Sequence, residues 1–146
     1  MERGEELMGT RTRPELSDKN PYWLERHRYY ELKHFCMQYP IWMRAYKELD
    51  GYGDKSAYII KAVTNRFNSD PTMACADALT YYANRLGMVD RAAYDAADNL
   101  AGYIVKGVTE GLSYDILKVR YGIPCCKQVY YDAYRRFFWL LDRARK

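Results

Sequence analysis

The chain has 146 residues, 49% of them hydrophobic, with Lys plus Arg at 23 against Asp plus Glu at 19, a net charge of +4. A chain of this size buries about two-thirds of its unfolded surface, so it needs no disulfide or metal staple, and its apolar share is too high for a disordered protein. It has no run of 18 apolar residues and no apolar stretch behind its N-terminus, so neither a membrane span nor a secretory signal is expected.

Residues 1–20 are polar and aperiodic, with Gly4, Gly9 and Pro14, and read as a disordered arm. Pro21 opens a helical segment over 21–68. From Tyr22 to Tyr39 the positions Tyr29, Leu32, Cys36 and Tyr39 recur at helical spacing, and Phe35 widens the stripe. Pro40 stops or kinks this helix and suits the first turn of the next, which repeats the pattern through Trp42, Ala45, Tyr46 and Leu49. With almost no loop between them, the two predict an angled N-terminal pair. A third helix is expected over Ser56 to Phe67.

Residues 69–146 read as a helical domain. Asp70 and Pro71 form a cap and first position for a helix carrying Cys75, Ala78, Leu79, Tyr82 and Leu86 on one face. Gly87 either breaks or weakens it. Asp98 is the expected cap of a helix over Asn99 to Val108 with Leu100, Ile104, Val105 and Val108 inside, ended by Gly111. Ser113 caps a short helix, Tyr114 to Tyr121, with Leu112 and Leu117 at the staple positions. Gly122 turns the chain, and Pro124 opens the last helix, Cys125 to about Arg143. Its expected inward stripe is Cys126, Val129, Tyr130, Ala133, Phe137, Leu140 and Leu141, while Phe138 and Trp139 imply packing against the N-terminal pair or a second subunit. No stretch alternates like a strand, so the fold class is all-α.

Charge is unevenly placed. Residues 1–112 carry 15 bases and 16 acids, net −1, while residues 113–146 carry eight and three, net +5. That basic segment coincides with a helix-turn-helix arrangement over 113–143. In such a unit the early turns of the second helix enter the major groove. Lys127, Gln128, Tyr131, Tyr134 and Arg135 form the expected docking face for double-stranded DNA, with Arg136, Lys118 and Arg120 as further contacts.

Other chemistry is sparse. The four cysteines, Cys36, Cys75, Cys125 and Cys126, have no Cys-x-x-Cys spacing and read as reduced thiols. His27 and His34 are two helical turns apart and read as surface histidines, not ligands. Nucleophile-elbow, phosphate-loop and zinc-protease motifs are absent. The expectation is a protein with no catalytic residues, metal or cofactor.

Several segments resemble the small phage transcriptional regulators of the RinA and ArpU type. They are Asp70-Pro71-Thr72, Val108-Thr109-Glu110-Gly111, Ser113-Tyr114-Asp115-Ile116-Leu117, Tyr121-Gly122-Ile123-Pro124, Val129-Tyr130-Tyr131-Asp132 and Arg135 to Asp142. The resemblance covers roughly Asp70 to the C-terminus. It implies a helical bundle ending in a helix-turn-helix like region 4 of sigma factors, and a regulator of late packaging and lysis genes in the cytoplasm of a bacterial host. The positions after the turn, Cys125, Cys126, Lys127 and Gln128, depart from the small hydroxylated or basic residues often found there. Two alternatives stand beside it: a counter-defence protein of anti-CRISPR type that binds a host nuclease, RNA polymerase or another host protein through its tyrosines, and a small terminase subunit. A homo-oligomer fits any of the three.

Overall fold

A computed structural model describes residues 20–51 and 71–146, and every regular element among them is helical. The elements are α1 (Arg26–Cys36), α2 (Tyr39–Gly51), α3 (Pro71–Ala96), a 3-10 turn (Asp98–Leu100), α4 (Ala101–Glu110), α5 (Tyr114–Ile116), a π-type segment (Leu117–Tyr121) and α6 (Lys127–Ala144). The expected arm, the helix over 56–67, the Asp70 cap and the 68/69 boundary lie outside the described residues. The chain divides into two compact units, one of residues 1–37 with 89–146, the other of residues 38–88.

In the smaller unit, Leu49 of α2 and Ala74 and Ala78 of α3 form a buried cluster, with Cys75, Leu79 and Tyr82 packed against it. Pro40 is the second residue of α2, where a missing amide donor costs nothing. Gly87 does not break α3; a Cβ there would meet nothing within 4 Å, and the helix continues to Ala96.

In the larger unit, α1 starts later than its periodicity suggests. The Asn20 side chain accepts from the Tyr22 amide at 2.8 Å and its carbonyl from Trp23 at 3.0 Å, a turn through Pro21. Glu25 then caps α1, its carboxylate accepting from the His27 and Arg28 amides at 2.9 and 3.2 Å. Tyr29, Leu32, Phe35 and Cys36 are buried as expected, and Tyr39 falls in α2 instead. The helix over 99–108 also differs from its expected form. Residues 98–100 form a 3-10 turn behind Ala97, and Asp98 makes no capping bond. Ile104 and Val108 of α4 are buried, and Thr109 hides its hydroxyl by donating to the Val105 carbonyl at 2.7 Å. Gly111 ends α4 in the left-handed region at φ 70°.

α6 is the centre of this unit. Tyr130, Ala133, Phe137, Phe138, Leu141 and Asp142 are its buried residues. The face is therefore rotated from the expected stripe: Cys126 and Val129 are exposed, while Phe138 and Asp142 turn inward. α1 accounts for the rotation. Phe138 stacks edge-on against Tyr29 at 5.1 Å, and Arg28 Nε donates to Asp142 Oδ1 at 2.5 Å. Trp139 meets the Tyr22 ring at 5.5 Å, so the N-terminal segment of the same chain supplies the packing that Phe138 and Trp139 imply. α6 also begins at Lys127 rather than Cys125, leaving Pro124 in the preceding bend.

α4 lies close against α6 at Gly107. A Cβ on Gly107 would collide with Tyr130 Oη, and that hydroxyl is buried with no hydrogen-bond partner. Gly107→Ala is expected to destabilise the protein by about 1–3 kcal/mol, the usual range for overpacking. Tyr130→Phe removes the clashing atom and loses no bond, so it should be near neutral alone and should rescue Gly107→Ala. Urea denaturation of the single and double variants checks this; additive losses would contradict it.

Candidate functional site

The short helix, turn and long helix are held by specific contacts. Ser113 Oγ accepts from the Ile116 amide at 3.4 Å, the N-cap expected of it. Gly122 takes the left-handed conformation at φ 65°, and its amide and that of Ile123 return to the Leu117 and Lys118 carbonyls. Ile123 is buried. Tyr114 Oη donates to the Cys125 carbonyl at 2.5 Å, tying the short helix to the residues that precede α6. Tyr131 Oη accepts from the Tyr114 amide at 3.3 Å, the reverse tie.

The eight residues expected to face DNA fall into two sets. Lys118, Arg120, Lys127 and Gln128 are exposed. Lys118 and Arg120 stand on the π-type segment, and Lys127 and Gln128 on the first turn of α6. Lys127 Nζ is 3.9 Å from Asp115 Oδ1, a long contact between two exposed groups that is worth little. α6 has no acidic residue in its first turn and its N-cap, Cys126, offers no side-chain bond, so the helix itself places no counter-charge at its positive end. Lys118 is near enough to Cys125 to oppose the upward shift that burial imposes on that thiol.

The other four are engaged in the fold. Tyr134 is turned into the unit, not out to solvent. Its hydroxyl is 2.7 Å from Tyr29 Oη and its ring packs on Phe138 at 4.9 Å. Tyr131 is half-buried through its bond to Tyr114. Arg135 is drawn down to Asp132, one turn earlier, with only 12% of its side chain exposed. Arg136 is exposed but donates to Tyr22 Oη at 3.1 Å. The rotation of α6 that buries Phe138 carries Tyr134 inward with it.

Two features of the site escape a reading of the sequence. Ile116, Val119, Tyr121 and Val129 are exposed beside the basic residues, with Val119 88% exposed. Periodicity puts Tyr121 at a helix end and Val129 on an inward stripe; the rotation of α6 brings Val129 outside. The second feature is a cavity of about 250 Å3 lined by Tyr29, Lys33 and Met37 of the N-terminal segment, Gly107 to Ser113 in part, and Tyr131 and Tyr134 of α6.

Titration follows burial. Burial pushes the Tyr134 hydroxyl well above its ordinary value near 10, with further contributions from Tyr29 and its neighbours. Tyr130 and Tyr131 are raised chiefly for the same reason. The Cys36 thiol is pushed up strongly by burial, partly opposed by Arg145, which disfavours the reactive thiolate. Among the described residues no group of three or more His, Cys, Asp and Glu could hold a metal, and no helix is long and apolar enough to cross a membrane. No protein family, curated protein or solved structure matches the chain.

The raised tyrosines set a direction for alkaline stability. Their folded pKa exceeds the unfolded value, so their stabilisation is complete below about pH 10 and is lost as pH rises through the unfolded value towards the folded one, where the ionised phenol favours the unfolded chain. Tyrosinate absorbance is expected to lag behind that of free tyrosine and then to rise together with loss of helical circular dichroism. Ionisation of all tyrosines at the free value, with the helix intact, would contradict the burial of these hydroxyls.

Proposed function

We propose that the chain is a non-catalytic regulator that binds double-stranded DNA through the turn between α5 and α6. One observation carries this reading: Lys118 and Arg120 on the π-type segment and Lys127 and Gln128 on the first turn of an 18-residue helix all remain exposed, and the helix N-cap makes no side-chain bond. A helix N-terminus favours a phosphate, flanking bases add salt-dependent affinity, and Lys and Gln on the first helical turn are within reach of base edges in the major groove. The resemblance to RinA- and ArpU-type regulators agrees with this and suggests late phage genes as the target, in the cytoplasm of a bacterial host.

Arg135 contributes less than its charge suggests, because Asp132 already holds it. Replacing Lys118, Arg120 and Lys127 together with Ala is expected to weaken DNA retardation by at least about tenfold at moderate salt and to reduce the salt slope by about 2–3. Arg135→Ala should have a smaller effect. Retardation unchanged in the triple variant, with native circular dichroism, would overturn the reading.

A second reading has its own observation. Ile116, Val119, Tyr121 and Val129 are exposed on the same segments, and exposed apolar groups on segments that also carry bases suit a protein partner such as a host nuclease or polymerase. Val119→Asp with Val129→Asp would then abolish a stoichiometric complex with such a partner. On DNA the same pair of changes would act only through added negative charge, and neutral Val119→Ser with Val129→Ser separates the two. A small terminase subunit is the further reading, and the mass in solution tests its requirement for a ring.

A further inference from the structure

Among the described residues, the cavity in the larger unit is lined by hydrogen-bond donors and by no Asp or Glu, and Lys33 brings an ammonium. Among the described residues Lys33 has no carboxylate partner; its Nζ stands 5.7 Å from the Tyr29 ring centre and 6.0 Å from that of Tyr30. Cation–π contact leaves the ammonium's donors able to bond an anion.

The tyrosines add neutral donors. Tyr131 Oη accepts the Tyr114 amide and keeps its own proton for donation. Tyr29 and Tyr134 share one hydroxyl–hydroxyl bond at 2.7 Å, which commits one of their two protons to the fold. An ammonium and a phenol proton on the wall of one cavity, with no Asp or Glu among the described lining residues, favour an oxyanion over a cation, while Asp115 stands near enough to Tyr131 to act on its phenol.

The remaining wall selects the body of the ligand. Met37, Val108 and Leu112 are apolar, and the tyrosines present ring surface as well as hydroxyls. A cavity of about 150 Å3 is enough for benzene, so one of about 250 Å3 takes a single ring with a short polar arm. Edge and face contacts with tyrosine favour a flat ring.

We propose that this cavity is a binding site for a small aromatic monocarboxylate. The carboxylate pairs with Lys33 and accepts from the phenol proton of Tyr131, and the ring lies against Val108 and Leu112. The inference is independent of DNA binding, since none of Lys118, Arg120, Lys127 and Gln128 lines the cavity.

Phenylacetate and its neutral counterpart phenylacetamide, titrated calorimetrically into the full chain, test the site. Phenylacetate is expected to bind with a Kd of about 1 mM or tighter, and phenylacetamide at least about tenfold more weakly. Lys33→Met should reduce phenylacetate affinity by a similar factor, while Arg26→Met, an exposed change on the same helix, should not. No binding of phenylacetate, equal binding of acid and amide, or undiminished binding by folded Lys33→Met would each overturn the proposal. If Lys33→Met fails to fold, the acid and amide comparison on the unaltered chain decides.

Discussion

A core built from tyrosine has to find a partner for each hydroxyl it buries. The ring contributes a large apolar area, and the oxygen costs free energy wherever water is removed without replacement. In the larger unit this requirement ties the elements together. Tyr29 of α1 meets Tyr134 of α6, Tyr131 of α6 takes the amide of Tyr114, and Tyr114 reaches forward to the Cys125 carbonyl. Three separate segments are thereby set in register by bonds that a phenylalanine core would lack. Tyr130 is the exception. Its hydroxyl is unpartnered where the backbone of α4 comes in at Gly107. The close approach of two helices is retained there at the expense of one hydrogen bond, which makes Gly107 a packing glycine, not a hinge.

The basic character of the last quarter of the chain narrows once its charges are located. Arg145 lies over the Phe35 ring at 4.1 Å, and Arg143 over Trp139 at 4.8 Å. Lys146 is 3.6 Å from Asp142, which also accepts from Arg28, and Arg135 is held by Asp132. These cations cover aromatic edges and neutralise carboxylates around α1 and α6. An Arg stem over an aromatic ring stabilises mostly through packing, so such residues are already committed to the fold. The exposed cations left are fewer than the net +5 of the segment implies: Lys118, Arg120 and Lys127 around the turn, and Arg136, bonded to the neutral Tyr22 hydroxyl.

Most of the described helices are legible in the sequence through their apolar period. So are the residues with strong local roles: Ser113 as a cap, Gly111 and Gly122 as left-handed stops, Pro40 and Pro71 in first turns. The rotation of α6 is not legible, and the reason is physical. Tyr is amphipathic, so a helix reading Val129-Tyr130-Tyr131-Asp132-Ala133-Tyr134 offers two plausible apolar stripes. The choice between them depends on Phe138 and Asp142 meeting Tyr29 and Arg28, residues more than a hundred positions away. Asp98 does not act as a cap because residues 98–100 close a tighter turn in which its side chain makes no bond to the helix. The cavity draws its wall from three distant segments, a juxtaposition that no local pattern encodes.

The same contacts bear on the proposed DNA contact. A binding loop that orders on contact loses part of its interaction energy to conformational entropy. Here the turn is held from both sides: Ser113 caps its entrance, Gly122 absorbs the left-handed residue, Ile123 is buried, and Tyr114 fixes the carbonyl just before α6. Lys118 and Arg120 are thus carried on a segment whose path relative to the N-terminus of α6 is set during folding. Only their side chains, not the backbone, remain to be ordered by a partner. The tyrosine hydroxyls that fix the turn are the ones whose burial built the core.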